Sequence, residues 1–186
     1  MKQVNIMIGR FQPLTFGHLK CVDEAWNDLK IPTIIAMIDT KEEKVDEKHP
    51  FPSNMLLDLY NDVLVKSSKI EKIILVKNAN IVEIGMRLYE EGYEIKSWTA
   101  GTDRIDSYKK MAEKYHDQAH LSDDFKMIEI KRSDEDISAT KARQALLDND
   151  EKMFASLTPL SSIKSRLKNN KAFNILRAQL LKVYNK

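Results

Sequence analysis

Residues 9–20 read GRFQPLTFGHLK and follow the apolar run Val4-Asn5-Ile6-Met7-Ile8. A chain of 186 residues with only five glycines places Gly9 and Gly17 around a proline, a threonine and a histidine. The preceding residues 3–8 are alternating and β-branched enough for a strand, and 18–29 has helical spacing, so the stretch is the loop of a strand–loop–helix unit. A loop ending in Gly17-His18 at a helix start offers backbone N–H groups and the positive end of a helix dipole, and Gly17 lets a ligand approach the backbone closely. That is a phosphate site in outline. It is not a Walker loop, which needs Lys-Ser or Lys-Thr after its last glycine, nor the G-x-G-x-x-G of dinucleotide folds.

Outward from this loop, the chain repeats the same alternation. The run 32–39 (PTIIAMID) reads as a second strand, and TKEEKVDEKHP after it as a charged, mobile surface loop. Pro52-Ser53 opens an amphipathic helix through about Lys66, with Met55, Leu56, Leu59, Val63 and Leu64 at helical spacing. Residues 70–76 form a strand, 81–92 a helix closed by Gly92, 94–101 a strand, 103–116 a helix and 125–130 a strand. The pattern predicts an α/β fold: a Rossmann-like parallel sheet of about five strands, helices on both faces and right-handed crossovers. In such sheets ligands sit at the carboxyl ends of the strands, at the switch point in strand order. The unusual loops there are GRFQPLTFGH after the first strand, AGTDR after the fourth and RSDEDISATKAR after the fifth.

Composition excludes several classes. With 42% hydrophobic and 31% charged residues the chain reads as soluble, and its apolar runs fall short of a membrane span. The amino terminus lacks the apolar stretch of a signal peptide, so a cytoplasmic protein is expected. The single cysteine, Cys21, allows no intrachain disulfide and reads as a small buried residue rather than a nucleophile. Net charge is +2, yet residues 151–186 hold eight Lys or Arg against one acidic residue, so a mildly acidic body carries a basic tail.

GRFQPLTFGHL resembles the (T/H)-x-G-H signature of the nucleotidyltransferase superfamily, with Thr15 and His18 at its defining positions. The lead-in Gly9-Arg10-Phe11-Gln12-Pro13 is similar to that of archaeal-type nicotinamide-mononucleotide adenylyltransferases. ISATKAR (137–143) resembles the superfamily's I-S-S-T-x-x-R, with Ala139 in place of its second serine, and Gly101 and Asp103 of AGTDR resemble a G-x-D that lies near the nucleotide. Two features depart from the archaeal type. Thr15 is what phosphopantetheine adenylyltransferases carry at that position, and HPFPSNMLLDLY (49–60) resembles the N-P-F segment before a helix in the archaeal type but lacks the Glu-Arg usual in that helix.

The resemblance implies a domain over 1–148 that transfers AMP from ATP to a phosphorylated small molecule with release of pyrophosphate. The first acceptor to test is nicotinamide mononucleotide, giving NAD; phosphopantetheine, or a cytidylyltransferase using CTP, are the alternatives. Thr15, His18 and Arg143 are the expected catalytic residues. Gly9, Arg10, Phe11, Gly17, His18, Gly101, Asp103, Ile137, Ser138, Thr140 and Arg143 are the expected ATP site. His18 would donate to an α-phosphate oxygen and the Thr15 hydroxyl would hold a phosphate oxygen. The planar fork of Arg10 suits a phosphate or the acceptor. Ser138 as a helix N-cap, with Thr140 and Arg143, would face the β and γ phosphates. Asp103 would accept from a ribose hydroxyl or the base rather than bind metal. Magnesium (Mg2+) is expected on the triphosphate, through phosphate and water oxygens and with no protein metal site.

Other residues read as ordinary. Trp98 alternates with strand residues and belongs to the core, while His49, His116 and His120 read as solvated. The tail, 149–186, reads as a helical extension: Thr158-Pro159 starts a helix, and two helical stretches flank Asn169-Asn170. Leu160, Ile163, Leu167, Phe173, Leu176, Leu180 and Val183 fall near one face. Helices folded back on the domain are the leading expectation for it. A homo-oligomeric contact is an alternative, and nucleic acid is not the expected partner, although a nucleic-acid-binding protein using this tail is the non-enzymatic rival.

Overall fold

The computed structural model describes residues 1–64, 66–131 and 138–185. In chain order these form β1 (Lys2–Gly9), α1 (Phe16–Leu29), β2 (Thr33–Ile38), α2 (Ser53–Leu64), β3 (Ile70–Val76), α3 (Ile81–Glu90), β4 (Tyr93–Gly101), α4 (Thr102–Tyr115) and β5 (Leu121–Ile130). They continue with α5 (Ala139–Leu147), α6 (Glu151–Leu157), β6 (Lys164–Ser165), β7 (Asn170–Lys171) and α7 (Ala172–Tyr184). Short 3-10 turns occupy Glu42–Lys44 and Pro159–Ser162. The chain divides into two compact units: Met1–Gly9, Lys20–Ile38 and Ser68–Glu135 make the first; Arg10–Leu19, Asp39–Ser67 and Asp136–Lys186 make the second.

The first unit is the parallel sheet, ordered β3-β2-β1-β4-β5. Strand order reverses direction at β1, so right-handed crossovers put α1 on one face and α3 and α4 on the other. That second face holds one apolar cluster, in which Val4, Ile6, Ile34, Ile74, Ile95 and Trp98 pack against Ile81, Ile84 and Leu88 of α3 and Ala112 of α4. Trp98 is fully buried, as its alternation predicts, and stacks on Tyr108 with ring centroids 4.2 Å apart. Asn5, the polar residue inside the first apolar run, is also fully buried. Its amide donates to Thr33 Oγ1 at 3.0 Å and accepts from the hydroxyls of Ser97 at 2.7 Å and Thr99 at 2.9 Å, cross-linking three strands. A buried amide carries no penalty when its polar atoms are paired in this way.

The helix ends follow local chemistry. Asn80 caps α3 by accepting from the N–H of Val82 and Glu83, and Gly92 closes it at φ 89°, a left-handed conformation natural to glycine. The last strand differs from expectation, because β5 starts at Leu121 rather than at 125. Leu121 pairs with Ile95, then the register shifts before Lys126 meets Ser97, and this bulge hides the strand's first residues from an alternation count.

The second unit gathers the glycine loop, the segment from Asp39 through α2, and α5 to α7. Its tail departs from the expected pair of helices: residues 158–171 form a 3-10 turn and a two-stranded antiparallel hairpin, and only α7 is a long helix. Thr158 Oγ1 accepts from Leu160 N–H, Ser165 Oγ from Lys168 N–H, and Asn169 adopts φ 47°. These serine, threonine and asparagine side chains offer the backbone turn geometries that compete with a helix. The hairpin carries Leu167 out to solvent, 83% exposed, instead of onto the apolar face. Phe173, Leu176 and Leu180 of α7 are buried as predicted, with Phe154 of α6 edge-on to Phe173.

Candidate active site

The backbone of residues 10–15 makes few regular bonds of its own, and side chains from distant parts of the sequence fix it. The Tyr60 hydroxyl donates to Phe11 O at 2.6 Å and accepts from Leu14 N–H at 2.8 Å. Arg143 donates through Nη1 to Gln12 O at 2.7 Å, and Thr158 through Oγ1 to Leu14 O at 2.6 Å. The Gln12 amide in turn pairs both ways with the backbone of Phe51, at 2.8 and 2.9 Å. The Gln12–Pro13 peptide is cis and Phe11 lies at φ 50°. Burial pushes the Tyr60 phenol far above its usual range, so its proton stays available for the bond to Phe11.

This loop delivers His18. α1 starts at Phe16, so Gly17 and His18 stand in its first turn, with Thr15 O accepting from the N–H groups of His18 and Leu19. The Thr15 N–H donates to His18 Nδ1 at 3.0 Å. Because an N–H can only donate, Nδ1 accepts, and the neutral ring carries its proton on Nε2. The buried Phe11 ring meets the imidazole edge-on, centroids 4.9 Å apart, and fixes its tilt. The Thr15 hydroxyl, assigned in sequence to a phosphate oxygen, lies 3.1 Å from the same Nδ1, in a side chain only 1% exposed.

Two guanidinium groups complete the cluster. Arg143 on α5 spans Gln12 O and, through Nη2 at 3.3 Å, Thr140 Oγ1. Burial pulls its pKa below the ordinary arginine value, with Tyr184 and Asp46 acting the other way, and it remains a cation. Arg10 donates to Thr40 Oγ1 at 3.3 Å, and Thr40 is tied to the start of α2 by its N–H to Ser53 Oγ at 2.6 Å and by Ser53 N–H to its carbonyl at 2.9 Å. Ser138 caps α5 as expected, accepting from Lys141 N–H at 3.1 Å.

Arg10, Phe11, Thr15, Gly17, His18, Ser138, Thr140 and Arg143 thus belong to one unit. Gly9, Gly101 and Asp103 belong to the other: Gly9 ends β1, Gly101 precedes the first turn of α4, and Asp103 is exposed beside Arg104. Ile137 lies outside the described residues. Among the described residues no three His, Cys, Asp or Glu side chains gather to hold a metal ion.

Sequence reading missed Gln12, Tyr60 and Thr158, whose side chains bond backbone atoms far away in sequence, and Thr40, which meets the Arg10 guanidinium and Ser53. It also took His49, His116 and His120 as solvated, which holds for His120, exposed and stacked on Tyr89 with centroids 4.1 Å apart. His116 is half-buried instead and contacts Ser122 O through Nε2 at 3.1 Å. His49 is half-buried: its N–H donates to Asp46 Oδ1 at 2.6 Å, and its Nδ1 lies 3.3 Å from the same oxygen. Burial holds its imidazole below the usual histidine range, with the Arg10 and Arg143 charges acting in the same sense and Asp46 opposing them. Cys21 is half-buried rather than buried.

A parallel sheet in the order β3-β2-β1-β4-β5, whose first strand leads through a loop into a helix opened by a backbone-held histidine, defines a Rossmann-like α/β protein. The chain belongs to the cytidylyltransferase-like family, whose model matches residues 6–145, and is a nucleotidyltransferase. No match is found among curated protein sequences. Among solved structures, the nicotinic acid mononucleotide adenylyltransferase of Plasmodium falciparum, complexed with APC, is similar at TM-score 0.57 and 16% identity, covering 100% of this chain and 96% of that one. A putative nicotinate-nucleotide adenylyltransferase from Vibrio parahaemolyticus gives 0.52 and 14%, over 97% of this chain and 95% of the other. TmcAL of Thermotoga maritima, bound with alpha-thio ATP, gives 0.54 and 10%, over 100% of this chain and 56% of the other. At such identities the likeness is one of fold, and no helix among the described residues is long and apolar enough to cross a membrane.

Proposed function

We propose that the chain is an adenylyltransferase that joins AMP from ATP to a phosphorylated small molecule, with a pyridine mononucleotide as the first acceptor to test. The observation that carries this reading is the Thr15 N–H bond to His18 Nδ1, which leaves Nε2–H as the donor on a loop held by Arg143. A phosphate oxygen of the acceptor attacks the α-phosphorus of ATP, a new P–O bond forms, the bond to the α,β-bridging oxygen breaks, and pyrophosphate leaves with the electron pair. No protein nucleophile is required; alignment and charge stabilisation supply the acceleration.

In this mechanism His18 Nε2–H donates to a nonbridging α-phosphate oxygen, and Arg143, with Thr140 and the first turn of α5, holds the leaving pyrophosphate. Arg10 steadies the acceptor's phosphate. Magnesium enters with the nucleotide as part of the substrate, neutralising charge on the phosphate chain. The GRFQP lead-in and the Plasmodium neighbour complexed with NaAD favour nicotinamide or nicotinic acid mononucleotide; Thr15 favours phosphopantetheine as the alternative.

The test is pyrophosphate release with magnesium, crossing ATP and CTP against both mononucleotides, phosphopantetheine and simple phosphorylated alcohols. Release with ATP and one acceptor, lost in His18→Ala, is the expected result. Release with CTP alone would replace adenylyl by cytidylyl transfer, and a folded protein that neither binds ATP nor releases pyrophosphate would overturn the reading.

A further inference from the structure

The segment between β2 and α2 is pinned at its far end beside the glycine loop. Thr40 and Ser53 exchange hydrogen bonds across its base, Phe51 is clamped by the Gln12 amide, and Pro50 O accepts from Gln179 Nε2 of α7 at 2.9 Å. His49 therefore directly precedes two residues fixed in place. The residue that clamps Phe51 also presents its carbonyl to Arg143, and the residue at the segment's base holds Arg10. Asp46 closes a turn on His49, taking its backbone N–H at 2.6 Å and lying 3.3 Å from Nδ1, while Asp46 N–H donates back to His49 O at 3.3 Å.

We propose that His49 is a third ligand of the phosphate cluster with Arg10 and Arg143: a neutral imidazole in the empty protein that gains one proton as phosphate binds, then donates from Nδ1 to Asp46 and from Nε2 to a phosphate oxygen. This rests on the phosphate-site reading above. The charged groups that act on the ring are Arg10 from the glycine loop, Arg143 from α5, and Asp46 from its own turn. In the empty site half-burial and two cations disfavour a third positive charge. A bound polyanion reverses the sign of that field, while Asp46 already accepts at the other side of the ring. The proton comes from solvent, and no other bond is made or broken.

Linkage gives this proposal a direct readout: proton uptake on binding and tighter binding on protonation are one coupling free energy. The full-length protein with labelled histidine rings is titrated by NMR from about pH 5 to 8, the range in which imidazoles charge. The titration is run with and without saturating inorganic pyrophosphate, and His49→Gln identifies the His49 signal among the four histidines. The expected result is a His49 midpoint that rises by about one pH unit or more with pyrophosphate, matched by roughly tenfold tighter pyrophosphate binding once the ring is charged. In His49→Gln that extra pH dependence of binding is lost. A His49 midpoint unmoved at saturation, in an enzyme that still turns over, overturns the proposal alone. Absence of both pyrophosphate binding and turnover overturns it together with the function on which it rests.

Discussion

The Thr15 N–H reaches His18 Nδ1 at 3.0 Å, so the backbone of the glycine loop, more than any side chain, selects the tautomer of the histidine. His18→Ala should lower kcat by about 10²- to 10³-fold, the usual loss for one donor to a developing charge, with little change in Tm. Thr15→Ala keeps the N–H and should cost less than about tenfold, since only one hydroxyl contact is lost. Pyrophosphate-release kinetics on both variants separate the two roles. A Thr15→Ala defect as deep as that of His18→Ala would show the hydroxyl touching phosphate directly.

Tyr60 holds two loop atoms with one hydroxyl. In Tyr60→Phe, Phe11 O loses a donor and Leu14 N–H an acceptor in a buried setting, which costs about 1–3 kcal/mol by the usual penalty for unsatisfied buried groups. Because the same loop orients His18, kcat should fall as well while the variant stays folded. Urea unfolding alongside turnover measures both. An unchanged unfolding midpoint would mean that the loop finds other partners.

The fold was legible because strands and helices alternate with distinct periods, and GRFQPLTFGH stands out at the first strand's end for its glycines. What escaped reading depended on partners distant in sequence. Asn5 looks like an interruption of an apolar run until Thr33, Ser97 and Thr99 meet it. Tyr60 and Thr158 carry no local signal, because they serve carbonyl and N–H groups of residues 11–14. The hairpin at 164–171 reads as helix in sequence because Leu160, Ile163 and Leu167 share helical spacing, whereas the serines among them and the Asn169-Asn170 pair after them carry the turn chemistry. His49 opens the HPFPSNMLLDLY segment but itself reads as solvated in sequence; its position before the clamped Pro50-Phe51 pair is what marks it.

Gly85 tests the packing of the sheet's helical face. A Cβ at this position of α3 would stand 2.0 Å from Ala119 O, a backbone atom that cannot swing aside. Gly85→Ala should therefore destabilise by about 1–3 kcal/mol as an overpacking change, despite alanine's better helix propensity. Thermal unfolding of the variant checks this; a raised Tm would show that α3 shifts away from Ala119 without cost.

The Asp46–His49 turn predicts how stability depends on pH. His49 is held below its ordinary value in the folded protein, chiefly by burial, so between that lowered value and about 6.5 the unfolded chain binds more protons than the folded one. Stability from this group is then fully present above about pH 6.5 and is lost as the pH falls toward the folded value. Asp46 is lowered too, first by the His49 N–H bond, but its contribution disappears only below about pH 4, outside this window. Urea unfolding at intervals from about pH 5 to 8 should show wild type gaining stability with pH more steeply than His49→Gln below about 6.5, and the two running parallel above it. The difference should be modest, because the ring is partly solvated and screened. Parallel curves throughout, or a steeper slope in the variant, would show that the folded protein does not disfavour the charged ring.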